Sequence, residues 1–214
     1  MKKPLIAATT LTSLLLTMAQ AQAQAAAPTA ELKVTGTLTV PSCEIAAADD
    51  GVYDLGKLSA TLVKPAATTT LNPISKTWTI TCDADTYLNF SPVDNRAASS
   101  AAVATTNFGM GMVNGTGKIG YYTAQMRNAT VDGKTSGLFT SASPTFTAYT
   151  TASITTGQRS GWANSTGNQQ QSGKVFAAEI VVTPELASLT SMNGAITDDA
   201  NIDGSMTLNF AFGI

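Results

Sequence analysis

Apolar residues recur at every second position through most of this chain, and that period commits it to β structure. Leu32, Val34, Gly36, Leu38 and Val40 alternate with Lys33, Thr35, Thr37 and Thr39, and Pro41 ends the run just before Cys43. Ile74, Lys76, Trp78, Ile80 and Cys82 alternate with Ser75, Thr77, Thr79 and Thr81. Phe176, Ala178, Ile180 and Val182 repeat the pattern up to Pro184, and Met206, Leu208, Phe210, Phe212 and Ile214 carry it to the last residue. A period of two sends successive side chains to opposite faces, as on a half-buried strand. Asn114-Gly115 and Asp132-Gly133 are hairpin-turn signals. Residues 134–173 are rich in Ser, Thr, Gly, Asn and Gln, which predicts one or two short strands between long surface loops. No long 3.6-residue period follows the amino-terminal stretch. Many short strands with frequent turns predict an all-β sandwich or barrel.

The amino terminus predicts export. Lys2 and Lys3 precede an apolar run from Leu5 to Met18, and Ala19 to Ala25 then offers overlapping small-x-small cleavage sites. This is the plan of a secretory signal peptide over residues 1–23, with the cut after Ala21, Ala23 or Ala25. A short extension, 24–31, then leads into one domain over 32–214. No later segment has the length and apolarity of a membrane helix, so no integral membrane segment is expected after signal removal. Charged residues are 12% of the chain and the formal net charge is −2, which gives no basic footprint for nucleic acid. The two cysteines, Cys43 and Cys82, lie 39 residues apart. In an oxidising compartment they read as one disulfide, two free thiols being the lesser reading.

Catalytic chemistry is poorly supplied. The chain has no histidine, which removes the usual general base and the commonest zinc ligand. Gly115-Thr116-Gly117-Lys118-Ile119-Gly120 fits a dinucleotide-type glycine spacing, but it leads into a strand, so it reads as a turn with close backbone packing. Asp199-Ala200-Asn201-Ile202-Asp203-Gly204 matches half of a calcium loop, but Phe210 stands where the loop needs Glu. No enzyme activity, cofactor or metal is expected.

Several strings resemble a known family. Val34-Thr35-Gly36-Thr37-Leu38-Thr39-Val40-Pro41-Ser42-Cys43 resembles the first strand of chaperone–usher fimbrial (pilin-like) subunits. Tyr53-Asp54-Leu55-Gly56, Thr79-Ile80-Thr81-Cys82-Asp83-Ala84, Asp94-Asn95-Arg96, Lys118-Ile119-Gly120-Tyr121-Tyr122 and Asp203-Gly204-Ser205-Met206-Thr207-Leu208 resemble a narrower group, the domain-of-unknown-function 1120 family of beta-fimbriae subunits. The resemblance implies an immunoglobulin-like sandwich that lacks its final strand. It implies a periplasmic chaperone, an outer-membrane usher and other fimbrial subunits as partners, transit through the periplasm, and a final place in a fimbrium at the cell surface that contributes to cell adhesion. Met206, Leu208, Phe210 and Phe212 would then line the groove that receives a donated strand. The alternative is a self-complete secreted binding module or fimbrial-type adhesin, with Trp162 in the polar loops as its candidate surface-binding residue.

Overall fold

The computed structural model describes residues 27–213. The expected signal peptide and its cleavage sites lie outside the described residues, as does Ile214. The chain divides after Leu38 into an amino-terminal stretch and a body beginning at Thr39. Residues 27–38 carry no strand, and Leu32, Val34 and Leu38 are exposed. The strand expected over Leu32–Val40 is therefore not part of the sheet. Alternation records a capacity to pair, and a strand exists only where another backbone supplies the hydrogen bonds.

The body is all-β, as the period of two predicts. Its principal strands are β1 (Cys43–Ala47), β2 (Ile74–Asp94), β3 (Gly120–Val131), β4 (Gly137–Ser141), β5 (Thr151–Ser153), β6 (Arg159–Ala163), β7 (Ser172–Leu186) and β8 (Met206–Phe212). All pairings between them are antiparallel, in the order β5-β3-β7-β2-β6-β4, with β1 and β8 also on β2. β2 organises the molecule because its 21 residues serve two halves. Trp78–Cys82 pairs with β1 on one side, and Trp78–Thr81 with β7 on the other. Farther along, Asn89 and Phe90 pair with β8 on one side and β6 on the other. Around Tyr87, Ser172 of β7 is the sheet partner, while the Gly213 N–H donates to the Tyr87 carbonyl at 3.0 Å. β1 and β8 thus lie end to end on the same edge of β2, opposite β7.

The sheet curls until its two terminal strands meet. The Thr140 hydroxyl on β4 donates to the Ser153 carbonyl on β5 at 2.9 Å, and Leu138 and Tyr149 exchange backbone hydrogen bonds of 2.8 Å. The core fills the space enclosed. Ile80, Phe176, Met126 and Ile180 come from one half and Leu88, Phe90, Leu138 and Trp162 from the other, all in one buried cluster. The Trp162 and Phe176 rings meet edge-on across the two halves at 5.3 Å. The Cys43–Cys82 disulfide joins directly opposed residues of β1 and β2, confirming the pairing expected from the cysteine count.

Both turn signals form. Asp132 and Gly133 have positive φ in a two-residue hairpin that pairs Val131 with Lys134. Asn114 and Gly115, also at positive φ, turn the small hairpin in which Val113 pairs with Gly117. The glycine-spaced string is a packing device. A Cβ on Gly117 would collide with the Met192 carbonyl, and one on Gly120 with the Glu185 carbonyl. Only hydrogen fits between these backbones.

Candidate binding cleft

One seam of the curled sheet is closed by β4 and β5; the side bearing β8 opens into a cleft of about 1020 Å³. Its floor is core: Met110, Ile119, Tyr122, Ile180, Val182 and Leu186. One wall is the strap Gly51–Ala60, which crosses without forming a strand. The other is the start of β8, with Met206 and Leu208, preceded by the turn residues Thr197–Asn201. Trp78 of β2 lies at the strap side.

The carboxyl-terminal strand supplies the apolar face of one wall of the cleft. Even-numbered residues of β8 stand opposite inward-facing residues of β2: Phe210 opposite Phe90, and Phe212 opposite Leu88. Residues directly opposite in an antiparallel pair share a face. Met206, Leu208 and Phe210 are half-buried against the core, whereas Phe212 is 42% exposed. Ile45 on β1 repeats the situation: it stands opposite the buried Ile80 and is 49% exposed. β1 and β8 pair with β2 and, among the described residues, have no strand on their outer sides. Side chains aimed at the core therefore stay partly wet along that edge.

Each wall is fastened by polar side chains. On the strap, the Tyr53 hydroxyl donates to the Ile180 carbonyl at 3.0 Å and accepts from the Trp78 indole N–H at 3.1 Å. The Lys76 ammonium sits 5.8 Å from the centre of the Tyr53 ring and is paired with Asp49. On the opposite wall, Asp94-Asn95-Arg96 and Asp203-Gly204-Ser205 interlock. The Asn95 amide donates to the hydroxyls of Ser205 and Thr207, each at 2.9 Å. Arg96 pairs with the Asp203 carboxylate at 3.0 Å. Asp94 accepts from the Gly109 N–H at 2.9 Å and the Arg96 N–H at 2.8 Å. Of the half calcium loop, Asp203 is thus already engaged by Arg96.

Burial raises the pKa of the Tyr53 hydroxyl, against a smaller lowering by the Trp78 hydrogen bond. Burial, followed by the nearby Asp94 charge, raises that of Tyr122 further. Both phenols stay protonated at ordinary pH. What this cleft offers an occupant is the apolar surface of its floor and of β8, between walls fixed by hydrogen bonds.

Of the residues proposed from sequence for a groove, the structure brings Met206 and Leu208 to the cleft wall. Phe210 continues the same face but packs on Phe90, with ring centres 5.3 Å apart. Phe212 extends the row to the strand end. Trp162 requires a correction. It is 1% exposed, its indole N–H donates to the Ala177 carbonyl at 2.9 Å, and it offers nothing to a surface ligand. The polar sequence around it suggests a loop, but it lies in β6, paired to Leu138 of β4. The strap was missed as a wall, because Tyr53, Leu55 and Leu58 do not keep strict alternation. The available signal was the Tyr53-Asp54-Leu55-Gly56 string, noticed only as a resemblance.

Fold and cleft together define an all-β, sandwich-like protein with one disulfide and a cleft of apolar floor open along one edge. The sequence pattern of the family described as "Protein of unknown function (DUF1120)" matches residues 32–139, half of the chain, and the chain belongs to that family. No curated protein matches it.

Proposed function

We propose that this protein is an exported structural subunit of a chaperone–usher fimbria and that its cleft receives a β-strand from another polypeptide. The observation that carries the reading is the row Met206, Leu208, Phe210 and Phe212, aimed at the core yet incompletely covered. A strand laid along the outer side of β8 would take up its unpaired backbone groups. Its alternate side chains would enter the cleft and set the register. An open, apolar edge is an aggregation hazard until something pairs with it. That hazard is the physical reason for a chaperone before assembly and for a neighbouring subunit afterwards.

The exposed stretch Leu32–Val40 fits the complementary role. Its apolar positions are spaced for alternate insertion, and none is used in a strand of the described chain. This improves on the short extension 24–31 as a donor segment, since Pro28 and the alanines there supply little to bury. The subunit would both accept and donate, which is the requirement for a head-to-tail fibre.

The test is refolding of the oxidised chain with and without a synthetic peptide of residues 29–41, or with a fimbrial chaperone. The expected result is poor recovery alone, and recovery with a raised melting temperature when a strand is supplied. A chain that refolds alone to a stable monomer at high concentration, and gains nothing from either addition, removes the proposal.

A further inference from the structure

We propose that Tyr53 is a positioning residue, whose hydroxyl holds the strap at a fixed place beside the cleft so that an entering strand meets a wall already in position. This rests on the strand-accepting reading above. Among the described residues, the hydrogen bonds of Tyr53 are the ones that tie residues 53–58 to the sheet: its hydroxyl donates to the Ile180 carbonyl and accepts from Trp78. The remaining strap bond within this stretch is local, from the Gly56 N–H to the Asp54 carboxylate at 2.8 Å. The strap has no ladder partner of its own. The ring of Tyr53 is held independently, by the Lys76 ammonium above it and by its own burial. The hydroxyl can therefore be removed without removing the ring.

Geometry makes the position matter. Adjacent strands lie about 4.7–4.9 Å apart, and backbone hydrogen bonds tolerate only small departures from that spacing. A wall that wanders must be ordered when the strand arrives, and that loss of freedom is charged against affinity. The Tyr53 hydroxyl bonds both to β7, at Ile180, and to β2, at Trp78, and both residues line the cleft. One atom thus references the strap to the floor and to the neighbouring strand. Burial keeps this hydroxyl protonated, so the donor is present at any ordinary pH.

The experiment compares the full oxidised chain with its Tyr53→Phe variant, using the synthetic peptide of residues 29–41 as probe. Tyr149→Phe, at an exposed tyrosine outside the cleft, is the control. Affinity, melting temperature and the two indole N–H resonances are measured. Tyr53→Phe removes both hydrogen bonds of the hydroxyl, which predicts about 5- to 150-fold weaker peptide binding. The melting temperature should fall by only a few degrees, since two hydrogen bonds of the folded chain are lost while the core packing stays. The Trp78 indole signal should shift while that of Trp162, bonded to Ala177, stays in place. Equal affinity in the two proteins overturns the positioning role and leaves the strand-accepting reading intact. Weaker binding accompanied by a displaced Trp162 signal also overturns it, in favour of a general structural role. No binding by the unchanged chain removes the strand-accepting reading and the positioning role together.

Discussion

Phe212 and Leu88 stand directly opposite one another on β8 and β2, on the same inward face, yet Leu88 is 1% exposed and Phe212 is 42% exposed. Leu88 lies on an interior strand with neighbours on both sides. Phe212 lies on a strand with one neighbour. The difference between them measures what the open edge leaves unburied, and it makes the edge accessible to experiment.

Phe212→Ala should cost the lone chain about 1 kcal/mol, because much of the ring is already in water. With a strand seated along β8 the ring would be covered, and the same substitution should cost about 2–3 kcal/mol. Denaturant melts of both proteins, with and without the peptide of residues 29–41, read the two values. Equal losses in both conditions would show that nothing covers Phe212.

Trp162→Ala should destabilise the protein by about 3–5 kcal/mol, since it empties a fully buried site between the two halves and leaves the Ala177 carbonyl without its indole partner. Equilibrium unfolding in urea measures this. A change under about 1 kcal/mol would be incompatible with the packed position of the ring.

Cys43→Ser combined with Cys82→Ser should cost about 2–5 kcal/mol, the range for removing a native disulfide from a small exported domain. The loss should appear first as fraying of β1, whose five residues pair with β2 alone. Amide exchange on Glu44–Ala47 checks the location, and unfolding in denaturant checks the size.

Acid should weaken the fold through two carboxylates. Hydrogen bonds from the backbone N–H groups of Val175 and Lys174 hold Asp132 below its ordinary value of 3.8. Hydrogen bonds from Arg127, then Asn128 and Ser75, hold Glu179 below 4.5. A depressed folded-state pKa contributes stability above the unfolded value and loses it as pH falls through the folded one. Melting temperature should be level down to about pH 5 and fall below it. Asp132→Asn and Glu179→Gln should each flatten that acid limb. An acid limb unchanged in both variants would exclude these groups as its source.

The period of two was enough to establish β structure, because side-chain burial on a sheet has no other way to repeat. The cysteine pair, the two hairpin turns and the inward set on β8 were legible for similar local reasons. Partnership was not. Leu32–Val40 and Met206–Phe212 have the same alternation, but the second is a strand and the first joins no strand among the described residues. Pairing depends on which backbones the fold brings within about 5 Å, and no single segment encodes that. The place of Trp162 was left open for the same reason: polar neighbours suggest a loop, while β4 and β6 put the ring in the core. The cleft itself belongs wholly to tertiary structure. Its walls come from residues 51–60 and 204–208, far apart in sequence, and they face each other only because β2 runs through both halves of the curled sheet.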